Sequence, residues 1–234
     1  MDIDKAYITS KDEITHIAKT LRMQVGDAME ITDGAGNLFV GEIFSIDNKE
    51  IAVSLIQKMD ESGELDTKII VYQGIPKSQK MDLIVQKLTE IGVSAIVPVR
   101  FERCVRIIKE KEEKENIRWQ RIAQEAIKQS KRTVIPQISY SQSISDLESA
   151  IKSHDLSILC FENEEKIGIK EILRTMDSKP KTVGLIIGPE GGITDEECRE
   201  LIGFGAKSAS LGKTTLRTET AAIVGAGVIS YELE

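Results

Sequence analysis

The passage Val183-Gly184-Leu185-Ile186-Ile187-Gly188-Pro189-Glu190-Gly191-Gly192, with Thr194-Asp195-Glu196-Glu197 just beyond it, is the most informative in the chain. Its apolar run reads as a strand and its glycines and proline as a tight loop. Thr194 and Glu197 have the spacing of a capping box that opens a helix. The same alternation recurs upstream. Ile69-Ile70-Val71-Tyr72 precedes a helical face of Met81, Ile84, Leu88 and Ile91, Ala95-Ile96-Val97-Pro98-Val99 precedes a helix around Trp119, Ile122 and Ala126, and Ser157-Ile158-Leu159-Cys160-Phe161 forms a further strand. Strand–helix alternation predicts an α/β domain with a mainly parallel sheet. Ligands of such sheets bind beyond the C-terminal ends of the strands, which points to the loops after residues 161 and 187. Trp119 is expected in the core.

The first part of the chain has a β rhythm instead: Ala28 to Thr32, a turn through Asp33-Gly34-Ala35-Gly36-Asn37, then Leu38 to Phe44 and Ile51 to Ile56. These segments predict a small antiparallel barrel or sheet. The polar stretch Asp60-Glu61-Ser62-Gly63-Glu64 separates the two rhythms, so the expected domains are residues 1–66 and 67–234.

Composition narrows the function classes. An apolar content of 41% over 234 residues supports at least one substantial core. No run of about 20 apolar residues appears and the start, Met1-Asp2-Ile3-Asp4, is acidic, so a soluble, unexported, cytoplasmic protein is expected. Cys104, Cys160 and Cys198 are widely spaced, which argues against both a disulfide framework and a zinc ribbon. The net charge of −7 hides a basic island: residues 67–132 carry 15 basic and 8 acidic side chains. A solvated helix around Lys109 to Glu115 accounts for part of it. Lys77, Lys80, Arg100, Arg103, Lys131 and Arg132 remain as candidate phosphate contacts.

Glycines alone are compatible with a mere tight turn at 188–192, but the surrounding charge selects a ligand type. Glu190, Asp195, Glu196 and Glu197 would repel a pyrophosphate at this helix start, and the spacing is not that of G-x-G-x-x-G. An adenosyl ligand with a positive sulfonium and no phosphate tolerates such carboxylates, as S-adenosylmethionine does. Gly212-Lys213-Thr214 is not a phosphate loop either, because the position five before Gly212 is Lys207. That segment leads into a helix of small residues, Ala221 to Ile229, whose glycines predict a close tertiary or subunit contact. With only His16 and His154, no metal cluster or catalytic triad is expected, and both histidines read as structural or surface residues.

The motifs Gly188-Pro189-Glu190-Gly191-Gly192 with its acidic helix start, and Leu211-Gly212 followed by Leu216-Arg217-Thr218-Glu219-Thr220-Ala221, resemble those of the RsmE family of SPOUT RNA methyltransferases. The resemblance extends to Leu21-Arg22-Met23 with Asp33 to Gly36, to Lys80-Met81-Asp82 through Lys87 to Glu90-Ile91-Gly92-Val93, and to Glu125 to Ser130 before Val134-Ile135-Pro136. It implies a PUA-like RNA-binding barrel, then a SPOUT-type α/β domain with a C-terminal trefoil knot, in a homodimer. It implies methylation of N3 of a uridine in 16S ribosomal RNA of the small ribosomal subunit, with S-adenosylmethionine held by Phe161, Glu162, Gly188 to Gly192 (through Pro189, Glu190 and Gly191), Ser210, Leu211, Gly212 and Leu216. Arg22 joins the RNA-contact set. Because Met1 to Thr20 is shorter and more acidic than the family's usual start, the barrel is expected to lack a strand.

Direct attack of the uridine N3 on the sulfonium methyl places negative charge on the flanking carbonyl oxygens. Arg217, a permanently charged planar donor, is the expected stabiliser, and Glu190 or Glu219 the expected proton acceptor or base-positioning group. The plainer reading pairs Arg217 with Glu219 and makes Glu219 a helix cap. Two rival functions stand beside this one: a non-catalytic RNA-binding module that retains the fold, and an enzyme using a nucleotide cofactor.

Overall fold

The computed structural model describes residues 5–59, 63–77, 79–105 and 112–234. Met1 to Asp4, residues 60–62 of the polar linker and the start of the expected solvated helix lie outside that set. The chain divides into two compact units, Met1–Gly63 and Glu64–Glu234.

In the first unit, β1 (Lys5–Ile8) is followed by α1 (Lys11–Thr15), which runs into a π-helical turn at His16–Thr20, and then by β2 (Ala28–Thr32), β3 (Leu38–Ile46) and β4 (Ile51–Met59). The strands pair antiparallel in the order β1-β4-β3-β2. The Asp33 carboxylate builds the β2–β3 turn, accepting the N–H groups of Ala35 at 2.8 Å and Asn37 at 3.1 Å. Asp47 closes the β3–β4 turn in the same way through Lys49 and Glu50. Ile43, Ile51 and Val53 pack with Ile14 and Ile17 as a small core. Within the opening segment, Lys5–Ile8 forms β1, and the Lys5 ammonium lies 4.7 Å over the Phe44 ring.

The second unit comprises β5 (Lys68–Gly74), α2 (Lys80–Ile91), β6 (Ala95–Arg100), α3 (Glu112–Ser130), β7 (Gln137–Ile138), β8 (Gln142–Ser143), α4 (Glu148–Ser153), β9 (Leu156–Cys160), α5 (Ile169–Arg174), β10 (Thr182–Ile187), α6 (Asp195–Gly203), β11 (Lys207–Ala209) and α7 (Thr218–Leu233). The sheet order is β11-β9-β10-β5-β6-β7, with β8 also on β6, and every pairing is parallel. Successive side chains of β10 point to opposite faces, and both faces are covered. Val183, Leu185 and Ile187 join a core with α2, α3, α5 and α7, including Trp119, whereas Ile186 joins a second core with Ile151 of α4 and Leu201 of α6. The uninterrupted apolar run of β10 is the consequence. His154 proves structural: its Nε2 lies 2.7 Å from the Tyr72 hydroxyl.

Arg132, expected among the phosphate contacts, is 5% exposed. Its guanidinium meets the Glu64 carboxylate at 2.6 Å and donates to the carbonyls of Thr89 at 2.8 Å and Val93 at 3.0 Å, so it is spent on joining the ends of α2 and α3. Glu64 also accepts the N–H groups of Thr133 and Val134, each at 2.9 Å. Burial pushes the Glu64 carboxyl up, but the Arg132 guanidinium and these N–H groups outweigh it and hold it below the usual carboxylate range. The linked stability is therefore present above the ordinary carboxylate pKa and is lost as pH falls through the lowered value. Arg132→Met, which strands the Glu64 carboxylate, is expected to cost about 3 kcal/mol in urea unfolding at neutral pH. The gap to wild type should narrow on acidification, and a gap independent of pH would sink this account.

Candidate active site

Because the strands of the second unit are parallel, their C-terminal ends share one edge. The segments after β9, β10 and β11 meet there around a cavity of about 920 Å³, within the range of ligand pockets. Each is held by hydrogen bonds that the chain makes with itself. The Gly192 N–H donates to the Pro189 carbonyl at 3.0 Å, closing a turn in which Gly192 adopts φ +75°, open to glycine at little cost. The capping box follows, with the Glu197 N–H donating to the Thr194 hydroxyl and the Thr194 N–H to the Glu197 carboxylate. From the far side, Thr218 donates to the Gly188 carbonyl at 2.6 Å and accepts from the buried Gln73 amide at 2.8 Å. The other two segments are stitched together: the Ser210 N–H donates to the Ile167 carbonyl at 2.8 Å, and the Ile169 N–H to the Ser210 carbonyl at 3.1 Å.

Most of the residues expected to hold a cofactor line this cavity: Phe161, Glu162, Gly188, Pro189, Glu190, Gly192, Ser210, Leu211, Gly212 and Leu216. Gly191 does not. It backs onto Arg103, whose guanidinium donates to its carbonyl at 3.2 Å. Arg217 lines the cavity and is exposed, and among the described residues its guanidinium makes no hydrogen bond or ion pair, while its carbonyl accepts the Ala221 N–H at 2.8 Å. Glu219 neither pairs with Arg217 nor caps α7. Its carboxylate meets the Lys80 ammonium at 3.2 Å, and the Glu190 carboxylate meets the same ammonium at 3.0 Å.

The carboxylates facing the cavity are not all those expected. Asp195 and Glu196 are exposed and lie off its walls, while Glu197 is buried and engaged by the Thr194 and Glu102 N–H groups. Glu164 and Glu165, after β9, take their place beside Glu162 and Glu190. The N–H groups of Lys166 and Ile167 hold the Glu164 carboxyl below its usual range. The cavity is thus acidic for a reason the helix start did not reveal.

Among the candidate RNA contacts, Lys77, Arg103 and Lys131 are exposed, and Lys131 sits at φ +57° after α3. Arg100 is half-buried and donates to Ser141. Arg22, in the first unit, is exposed at φ +55°. Sequence reading missed Gly74 at the end of β5. A Cβ there would stand 2.5 Å from the Pro189 nitrogen and 2.7 Å from the Gly188 carbonyl carbon, so its missing side chain lets the 188–189 backbone pass. A glycine that ends a strand is a weak signal on its own.

A parallel sheet with Glu162, Glu164, Glu165 and Glu190 facing Lys80, Lys213 and Arg217 around the cavity at its carboxyl edge, preceded in the chain by a small β unit, suits an RNA methyltransferase. The RNA methyltransferase domain family matches residues 63–230, and the RNA methyltransferase PUA domain family matches residues 8–56. Ribosomal RNA small subunit methyltransferase E of Bacillus subtilis is 32% identical over 95% of this chain and 89% of its own length. That of Aquifex aeolicus is 34% identical over 80% of this chain and 79% of its own. A methyltransferase of Legionella pneumophila, solved in complex with bound SAM, is 31% identical and matches with a TM-score of 0.84 over 97% of this chain and 92% of that one. The chain belongs to the ribosomal RNA small subunit methyltransferase E family.

Proposed function

We propose that this protein transfers the methyl group of S-adenosylmethionine to N3 of a uridine in 16S ribosomal RNA, in the cytoplasm, as a homodimer. The observation that carries the reading is the cavity at the carboxyl edge of the sheet, where Glu162, Glu164, Glu165 and Glu190 outnumber Lys80, Lys213 and Arg217. Its carboxylates suit a sulfonium and an ammonium, and its Ile187, Leu211 and Leu216 side chains suit an adenine. At Gly192 a Cβ would run into the Glu162 carboxylate, so the glycine leaves that carboxylate its place. The residues therefore fit the cofactor, with Phe161, Glu162, the 188–192 loop, Ser210, Leu211, Gly212 and Leu216 as those that would hold it.

When bound, S-adenosylmethionine supplies an electrophilic methyl group. The Arg217 guanidinium, unpaired among the described residues, is available to the carbonyl oxygens of the uracil as its imide loses the proton and becomes anionic. Burial pushes the Glu190 carboxyl up, but the Lys80 ammonium and the Lys77 N–H outweigh it and keep it ionised. This suits a group that orients the base better than one that must take up a proton. The exposed Lys77, Arg103 and Lys131 would meet phosphates, and Arg22 would do so from the PUA unit. Dimerisation has support in α7, where Val224 and Tyr231 are exposed and Gly227 has open space around its Cα, whereas Gly225 is accounted for by packing on Leu185.

Incubating the protein with labelled S-adenosylmethionine and small ribosomal subunits from cells lacking it, followed by mass spectrometry of the 16S RNA, is expected to reveal one 3-methyluridine. Calorimetry with S-adenosylhomocysteine is expected to show micromolar binding. An inert preparation that binds no cofactor would favour the non-catalytic RNA-binding module.

A further inference from the structure

We propose that Lys80 is a positioning residue of the methyl-transfer site: its ammonium, seated between the Glu190 and Glu219 carboxylates, fastens the cofactor loop to the first turn of α7 and so sets where Arg217 stands. The inference rests on the function proposed above. It takes Lys80 out of the phosphate contacts and gives it a role inside the site.

Three elements converge on this one side chain. Lys80 is the first residue of α2, and its neighbour Met81 is wholly buried, so the start of the helix is anchored in the core. Its Nζ lies 3.0 Å from Glu190, in the loop between β10 and α6, and 3.2 Å from Glu219, in the first turn of α7. The Glu190 carboxylate is also held by the Lys77 N–H at 3.1 Å, which fixes its direction. Glu219 stands two positions after Arg217, the N-cap residue of α7, so any shift of that first turn moves the guanidinium as well.

Charge argues the same way. The Glu190 and Glu219 side chains are 21% and 13% exposed, so water screens their mutual repulsion only in part. One ammonium between two carboxylates leaves the cluster net negative, which is a poor phosphate contact. Among the described residues, the other charged or titratable groups around it include Arg217, Lys213, Glu162, Glu164 and Glu165 along the cavity wall, Lys77 and Arg103 beside the 188–192 loop, and Cys104 and Glu197 near the end of β6. Asp82, on the same turn of α2, is already engaged by Arg118. Glu190 first, and then Glu219, hold the Lys80 ammonium above its usual range, so it stays charged throughout the working pH range.

The test compares Lys80→Met and Lys80→Arg with the wild-type chain in melting temperature, S-adenosylhomocysteine affinity, kcat, KM for small ribosomal subunits, and the pH dependence of kcat. For Lys80→Met we expect kcat to fall about 100-fold while KM for the subunit changes less than about 3-fold. We also expect a new acid limb in kcat, because two carboxylates without their shared cation cannot both remain ionised so readily. Lys80→Arg should recover most of kcat. A raised KM with kcat retained would make Lys80 an ordinary phosphate contact and overturn the proposal. So would a lowered kcat with no acid limb and no rescue by arginine. Should Lys80→Met fail to fold, Lys80→Gln, which keeps a hydrogen-bond donor between the carboxylates, carries the same readouts. A wild-type chain that binds no S-adenosylhomocysteine overturns the functional reading itself, an outcome separate from any failure of the variants.

Discussion

Arg217→Ala is expected to lower methyl transfer by about 100- to 1,000-fold, the cost of losing a donor aimed at developing negative charge. The affinity for S-adenosylhomocysteine should stay within about 3-fold of wild type, because the lost interaction is with the anionic uracil. Two structural facts carry the expectation. Arg217 lines the cavity, and its guanidinium makes no ion pair or hydrogen bond among the described residues, so its removal leaves no buried carboxylate stranded. Glu219, two positions on, is paired with Lys80 instead. Arg217→Lys should recover only part of the rate, since a point charge cannot match a planar imidate as a guanidinium does. Undiminished turnover by the alanine variant in single-turnover assays would remove Arg217 from the reaction.

Gly74→Ala is expected to damage cofactor binding from outside the cavity. The added methyl would press on the Pro189 nitrogen and the Gly188 carbonyl carbon, both backbone atoms with no rotamer to move. The Thr218 hydroxyl, which accepts from the Gln73 amide, ties the same loop at the Gly188 carbonyl. Overpacking of this kind costs about 1–3 kcal/mol, here taken up either as a lowered melting temperature or as a displaced loop. S-adenosylhomocysteine affinity should fall at least about 10-fold as Gly188 to Gly192 shift. A variant that melted and bound like wild type would show that the close approach is not under load.

The parallel sheet was legible because burial on both faces writes an unbroken apolar run, as in Val183 to Ile187, and helices on both sides demand it. The α6 start was legible because Thr194 and Glu197 are local partners three positions apart. Partnerships across the chain left no such trace. Arg132 and Glu64 are 68 positions apart, and nothing in the basic run around Arg132 separates a buried guanidinium from a phosphate contact. Of the carboxylates that make the loop read as acidic, Glu190 lines the cavity and Asp195 to Glu197 only cap and flank a helix, while Glu164 and Glu165 reach it because β9 lies beside β10 in the sheet. Likewise β1 was missed, since four residues of alternating exposure are too short to stand out before pairing with β4.

The internal pairing of the basic island bears on how RNA is held. Lys80, Lys87, Arg118, Lys128 and Arg132 all sit against carboxylates of the same fold. A cation already paired in this way displaces no condensed counter-ion when a polynucleotide arrives. Side chains with no ion pair among the described residues, such as Lys77, Arg103 and Lys131, contribute to the entropy of ion release, at about 0.7 ions per phosphate neutralised on a single strand. These five cations, of the island's fifteen, therefore add little to the salt dependence of RNA binding, which falls to the remaining side chains of the island.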